Sequence, residues 1–262
     1  MIYKSQYGDI FYKIQGPENA QVVVFTHGMG ADHNTFDPQT AKIGEKYRTI
    51  VWDMPEHGKS FKSGEDFNFS VAAECLAGLL DETGTGEAVL VGQSLGGFIS
   101  QYAAIKYPGR VRAVAVIGST AMDRGLSRAE YLLMKAYSFV SMLIPWRMIK
   151  FFVKKTIAKK EATRRYIEKR MEKEGRKQLL AISRGTKKAI YKGMQKPVRH
   201  PLLITHGENE ILFPRRKFKK WHKRSPESEY FVIPAAGHVA NQDNPAEFNC
   251  ILLRFLEKLN RK

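Results

Sequence analysis

EAVLVGQSLGG, residues 87–97, runs from an unbroken apolar tetrapeptide straight into a serine bracketed by glycines. Such an apolar run suits a strand buried on both faces, and the residues from about 95 to 106 carry helical spacing. Gly92-Gln93-Ser94-Leu95-Gly96 therefore sits on a sharp strand-to-helix turn, the setting of a nucleophilic serine. The glycines let neighbouring chains approach without a Cβ clash, and the turn strains the serine backbone. The hydroxyl then stands above the sheet at a helix N-terminus, whose dipole favours developing negative charge.

Upstream, residues 10–16, 21–28 and 48–55 read as strands, and residues 69–84 form a helical pattern closed by a glycine. Downstream, RAVAVIGS (112–119) is another strand. The apolar runs are nearly continuous rather than alternating, as expected for parallel strands covered by helices on both faces. From about residue 120 the pattern changes to some 75 helical, basic, aromatic-studded residues. Strands return at PLLITHGE (201–208) and SEYFVIPAAGH (228–238), and an amphipathic helix over 245–260 closes the sequence. The expected organisation is one α/β core from residues 1–119 and 198–262, interrupted by a helical cap over 120–197.

A serine needs a base to take its proton. Of seven histidines, His238 lies just after the last strand in Ala236-Gly237-His238, whereas His27, His57 and His206 sit beside glycines in turns and read as structural. The base needs an acid to fix its tautomer. Glu210, after the strand PLLITHG, is the first choice, with Glu208 and Asp123 as alternatives. The oxyanion requires backbone amides, and Leu95 supplies one. Met29 in His27-Gly28-Met29-Gly30, after an early strand, supplies the second.

Taken together, HGMG (27–30), WDMPEHGKS (52–60), GQSLGG (92–97), THGENE (205–210) and AAGH (235–238) are similar to the motifs of the α/β-hydrolase superfamily, in family order. The resemblance is to small serine esterases, lipases and lactonases with a helical cap. It implies an eight-stranded, mostly parallel sheet with the cap inserted after strand 6. Two positions depart from the family pattern. Glu210 stands where relatives commonly have Asp, and Glu56 replaces the first glycine of the loop after the third apolar run. A serine nucleophile argues against a dehalogenase or epoxide hydrolase.

Charge is distributed unevenly. Residues 121–197 hold 21 Lys and Arg against 6 Asp and Glu, which accounts for fifteen of the chain's net +17. A shorter basic run, RRKFKKWHKR, follows at 215–224. Within the cap, YLLMKAYSFVSMLIPWRMIKFFVKK (131–155) is more apolar than a solvated charged helix needs. It reads as a lid over an acyl-binding pocket. Its cations and Trp146, Phe151 and Phe152 also suit an anionic membrane surface or an acidic carrier protein. No nucleic-acid-binding motif accompanies the charge. Cys75 and Cys250 read as two buried thiols, with no metal-ligand spacing between them. No signal peptide or apolar run of about 18 residues is present, so the expectation is a cytoplasmic, possibly membrane-peripheral protein.

The expected activity is carboxylic-ester hydrolysis through an acyl-enzyme on Ser94, with a medium or long acyl group of the monoacylglycerol or lysolipid kind. No cofactor or metal is implied. The alternatives are a thioesterase working on a carrier-bound acyl chain and a receptor-like protein that keeps the triad but binds rather than cleaves.

Overall fold

Three apolar strands dictate the centre of the sheet. β3 (Val22–Thr26), β5 (Ala88–Gln93) and β6 (Val111–Ile117) are almost wholly buried, as strands covered on both faces must be. The structure, a computed structural model, describes residues 1–261, with side chains throughout except at 137–139, 141 and 142. The side chains of that part of the aromatic-rich stretch at 131–155 therefore lie outside what is described.

Among the described residues eight strands form one sheet in the order β1-β2-β4-β3-β5-β6-β7-β8. β1 (Ile2–Ser5), β2 (Gly8–Gln15) and β4 (Arg48–Trp52) pair antiparallel in sequence, β1 with β2 and β2 with β4. Every other neighbouring pair is parallel, out to β7 (Leu202–Gly207) and the edge strand β8 (Glu229–Ile233). The chain reverses its direction of travel across the sheet at β3, so the βα loops at the carboxyl ends of β3 and β5 face each other there.

Helices cover both faces. α1 (Asp37–Ile43) and the last helix bury one face, around Phe25, Phe36, Phe248 and Phe255. α2 (Phe69–Glu82) and α3 (Leu95–Lys106) bury the other, around Trp52, Leu76, Leu79 and Ile99. Between β6 and β7 come α4 (Arg128–Leu143), α5 (Trp146–Ile157) and the long α6 (Glu161–Lys192). Gly175, at φ 75 and ψ 163, breaks α6 into two. Its second half belongs to the main core, with Ile182 fully buried, whereas α5 packs on the first half in a small cluster of its own. Beyond β7 lie α7 (Arg215–Arg224), the short α8 (Ala240–Asp243) and α9 (Pro245–Leu259). Among the described residues no helix is long and apolar enough to cross a membrane.

Two sequence expectations change. Cys75 is buried, and burial pushes its thiol up to about 11, but Cys250 is exposed. In α9 the buried apolar positions are 248, 251, 252, 255, 256 and 259, and position 250 falls on the opposite side of that stripe. Trp146, read as part of an outward surface, turns inward and packs with Ile149, Val153 and Ile157 against α6.

Asp53 anchors the loop that follows β4. Its carboxylate accepts the His33 amide at 2.7 Å, His33 Nδ1 at 2.9 Å and the Lys59 amide at 2.9 Å. Burial by itself would raise its pKa, but the His33 side-chain bond, the nearby His27 and the Lys59 amide outweigh it and hold Asp53 at about 2. A folded-state value below the unfolded one stabilises the fold above about pH 4 and loses that stabilisation as pH falls towards 2. Asp53→Asn is expected to cost about 2 kcal/mol at pH 7, a fall in Tm of several degrees. In calorimetric scans the gap between variant and parent should be constant from pH 7 to 5 and narrow below pH 4. A gap independent of pH would show that packing rather than charge is responsible.

Candidate active site

The glycines around Ser94 are required by contacts, not by habit. A Cβ on Gly92 would lie 2.2 Å from the Gly96 carbonyl oxygen, and one on Gly96 would lie 2.0 Å from that of Thr26. Between them Ser94 adopts φ 52 and ψ −115, a strained conformation for a residue with a Cβ. The surroundings over-determine it. The Ser94 amide donates to Ile117 at 2.8 Å, while its carbonyl accepts from Gly97, Phe98 and the Ser119 hydroxyl. Ser94 Oγ itself, only partly exposed, makes no hydrogen bond to another described residue.

His238 reaches the same end of the sheet from the loop after β8. The Glu208 amide donates to Ile233 and the Asn209 amide to Ala236, both at 2.8 Å, which stitches the loops after β7 and β8 together. The contact is close enough that a Cβ on Gly207 would meet the Gly237 carbonyl at 2.0 Å. This brings Glu210 to His238 across 28 residues, with Oε2 2.7 Å from Nδ1 and both side chains buried. The His238 ring lies against Gly118, where a Cβ would stand 2.9 Å from Nδ1. Gly118 has φ +60 and directly follows the residue whose carbonyl holds Ser94. Ser94 and His238 thus share the carboxyl end of β6.

Glu210 is the carboxylate paired with His238; the two alternatives are engaged elsewhere. Glu208 accepts the Ala235 amide at 3.0 Å, and Asp123 forms an ion pair with Arg224 at 2.9 Å. Burial would raise the pKa of Glu210, but the His238 charge, its hydrogen bond and the amides of Leu212 and Phe213 together lower it below the ordinary glutamate value. Both amides bind Oε1, at 2.8 and 3.4 Å, which leaves Oε2 for His238.

The opposite wall is the HGMG turn. His27 accepts the Met54 amide at Nε2 and so carries its proton on Nδ1, which donates to the Gly28 carbonyl at 2.8 Å. Burial lowers the pKa of His27 and pushes that of His57 beside it well below the ordinary histidine value. Neither the Met29 nor the Leu95 amide bonds another described residue, as a pair of oxyanion donors requires. His206 is also spent structurally, on the Gly207 carbonyl and the Tyr230 hydroxyl.

Three further residues shape the site, two of them without having announced themselves in the sequence. The Gln93 side chain packs under Gly28 and donates to the His238 carbonyl at 3.3 Å, joining the HGMG turn to the His238 loop. Asp243 accepts the Gly237 amide at 2.8 Å and the Lys159 and Lys160 amides, tying the His238 loop to the end of α5. Arg170 of α6 is buried between Asp32, at 2.9 Å, and Glu174, which also binds Lys62 and the Gly58 amide. That cluster fixes the segment just after Met29. Gln93 was accessible from its place in the elbow, but no sequence signal marks Asp243 or Arg170. Glu56, the unusual residue in the loop after β4, has φ 67. Its carboxylate binds the Ser63 amide and hydroxyl and Gln178 of α6, so it fastens α6 to the core.

A sequence model of the alpha/beta hydrolase fold matches residues 21–167, more than half of the chain. The chain belongs to the α/β-hydrolase family. The α/β-hydrolase sequence is 26% identical over 247 residues to 2-(acetamidomethylene)succinate hydrolase of Mesorhizobium japonicum, covering 91% of this chain and 88% of that one. It is 27% identical over 247 residues to the dihydrolipoyllysine-residue acetyltransferase component of the acetoin cleaving system of Pseudomonas putida. That match takes in 93% of this chain but spans only 65% of the relative's length. In fold it is similar to a thermophilic esterase from Thermogutta terrifontis, with a TM-score of 0.85 at 20% identity over 99% of this chain and 98% of the esterase. Family and relatives make this α/β-hydrolase a hydrolytic enzyme.

Proposed function

We propose that the protein is a serine hydrolase that cleaves carboxylic esters through an acyl-enzyme on Ser94. The observation that carries the reading is the strained serine at φ 52 sharing one sheet end with a buried His238–Glu210 pair. Ser94 Oγ attacks the ester carbonyl while His238 Nε2 takes its proton. Glu210 keeps the histidine proton on Nδ1 and stabilises the imidazolium. The Met29 and Leu95 amides receive the developing oxyanion. His238 then gives its proton to the departing alcohol, and the same base activates water to release the acid. Support for an ester comes from the fold shared with the Thermogutta terrifontis esterase.

The helical segment between β6 and β7 supplies the apolar side of the substrate site in this reading, which favours a medium or long acyl chain. Hydrolysis of p-nitrophenyl esters from acetyl to palmitoyl tests it. The expected result is a Ser94-dependent optimum in the medium-to-long range. An optimum at acetyl would remove the long-acyl assignment, and no hydrolysis at any length would remove the ester assignment.

A further inference from the structure

Helix α5 carries two apolar stripes, and the fold uses one of them. Trp146, Ile149, Val153 and Ile157 recur at helical spacing and pack against α6 and Val239. Met148, Phe151 and Phe152 form a second stripe and stand 48%, 45% and 53% exposed. Two adjacent phenylalanines held open to water on an ordered helix are a cost that burial against an apolar phase would remove.

The cations divide in the same way. Lys150 and Lys154 are paired with Glu172 and Glu168 of α6, each at 2.6 Å. Arg147, Lys155, Lys159 and Lys160 are exposed and, among the described residues, form no ion pair. Lys155 Nζ lies 4.4 Å above the Phe151 ring, so charge and apolar surface are interleaved on one face. Position matters too. The Val239 amide donates to the Ile157 carbonyl, and Asp243 binds both the amides after α5 and that of Gly237. The far end of α5 is therefore held next to His238.

We propose that the outer face of α5 docks on an anionic lipid bilayer. Met148, Phe151 and Phe152 enter the boundary between headgroups and acyl chains, and Arg147, Lys155, Lys159 and Lys160 lie against lipid phosphates. A second copy of the chain is disfavoured as occupant because a symmetric contact would oppose the same unpaired cations. The inference concerns a surface and does not depend on which acyl bond the site cleaves.

The test is sedimentation of the full-length protein with vesicles of equimolar phosphatidylcholine and phosphatidylglycerol, or of phosphatidylcholine alone, at low and high salt. Binding is expected to the anionic vesicles, weakening with salt. F151S/F152S should lower partitioning on the order of tenfold or more, since both rings leave the interface. K155E/K159E/K160E should lower it by more, at roughly fivefold for each cation removed before counting the repulsion added. Both variants should keep the parent's Tm, which separates lost docking from lost folding. No binding to anionic vesicles overturns the proposal. So does binding that responds to the charge variant but not to the phenylalanine variant, which would be electrostatic attraction without insertion of the apolar stripe. A dimer in solution that F151S/F152S splits assigns the face to a second copy and overturns it as well.

Discussion

Replacing Ser94 with alanine is expected to lower kcat/KM for the best p-nitrophenyl ester by at least about 10⁴-fold while moving Tm by no more than about 2 °C. The two halves of that expectation have different origins. In the proposed mechanism the lost rate follows from removing the atom that forms the acyl bond. Retained stability follows because Ser94 Oγ bonds no described residue, while the backbone bonds to Ile117, Gly97 and Phe98 do not involve the side chain. Alanine keeps the Cβ, so it keeps the strain at φ 52 and does not gain stability by relaxing. A loss of less than tenfold in a folded variant would mean that another group carries the nucleophile.

Glu210→Gln is the second large effect, expected to cost about 10³- to 10⁴-fold in kcat. The mechanism is tautomeric. The Leu212 and Phe213 amides both point at the Oε1 position, so they hold the glutamine carbonyl there and turn its NH₂ towards His238 Nδ1. Nδ1 must then accept a hydrogen bond, the histidine proton moves to Nε2, and the base can no longer take a proton from Ser94. The side chain keeps its size, and the buried amides keep an acceptor, so the fold should survive. Asp123→Asn serves as the contrast. It breaks the surface ion pair with Arg224 and should leave kcat within about twofold. Equal losses from the two substitutions would remove Glu210 from its assigned role. Because Glu210 is held below its ordinary pKa, it stays ionised as pH falls through the usual glutamate range.

Much of the fold was legible because its signals are local. An apolar run too continuous for a half-exposed strand marks a buried parallel strand, and β3, β5 and β6 follow from that alone. The elbow is equally local, since five residues contain both the turn and the glycines that make it possible. Burial of a thiol is less local. Cys250 sits in an apolar stretch, yet a rotation of two positions around α9 puts it in solvent.

The sequence by itself determined the strand-and-helix order, the turn at Ser94, and the histidine and glycine-rich loops that border it. Each of these depends on residues adjacent in the chain, where periodicity and backbone sterics act directly. Tertiary structure alone decided which carboxylate meets His238, because Glu208, Glu210 and Asp123 differ in what lies across from them rather than in their own neighbours. It alone turned Trp146 inward and left Phe151 and Phe152 outside, on a helix whose sequence is apolar on both sides. It alone placed Arg170 and Asp243 around the site. Buried charges and single hydrogen bonds take their partners from whatever segment the fold delivers, and no short-range pattern encodes that segment.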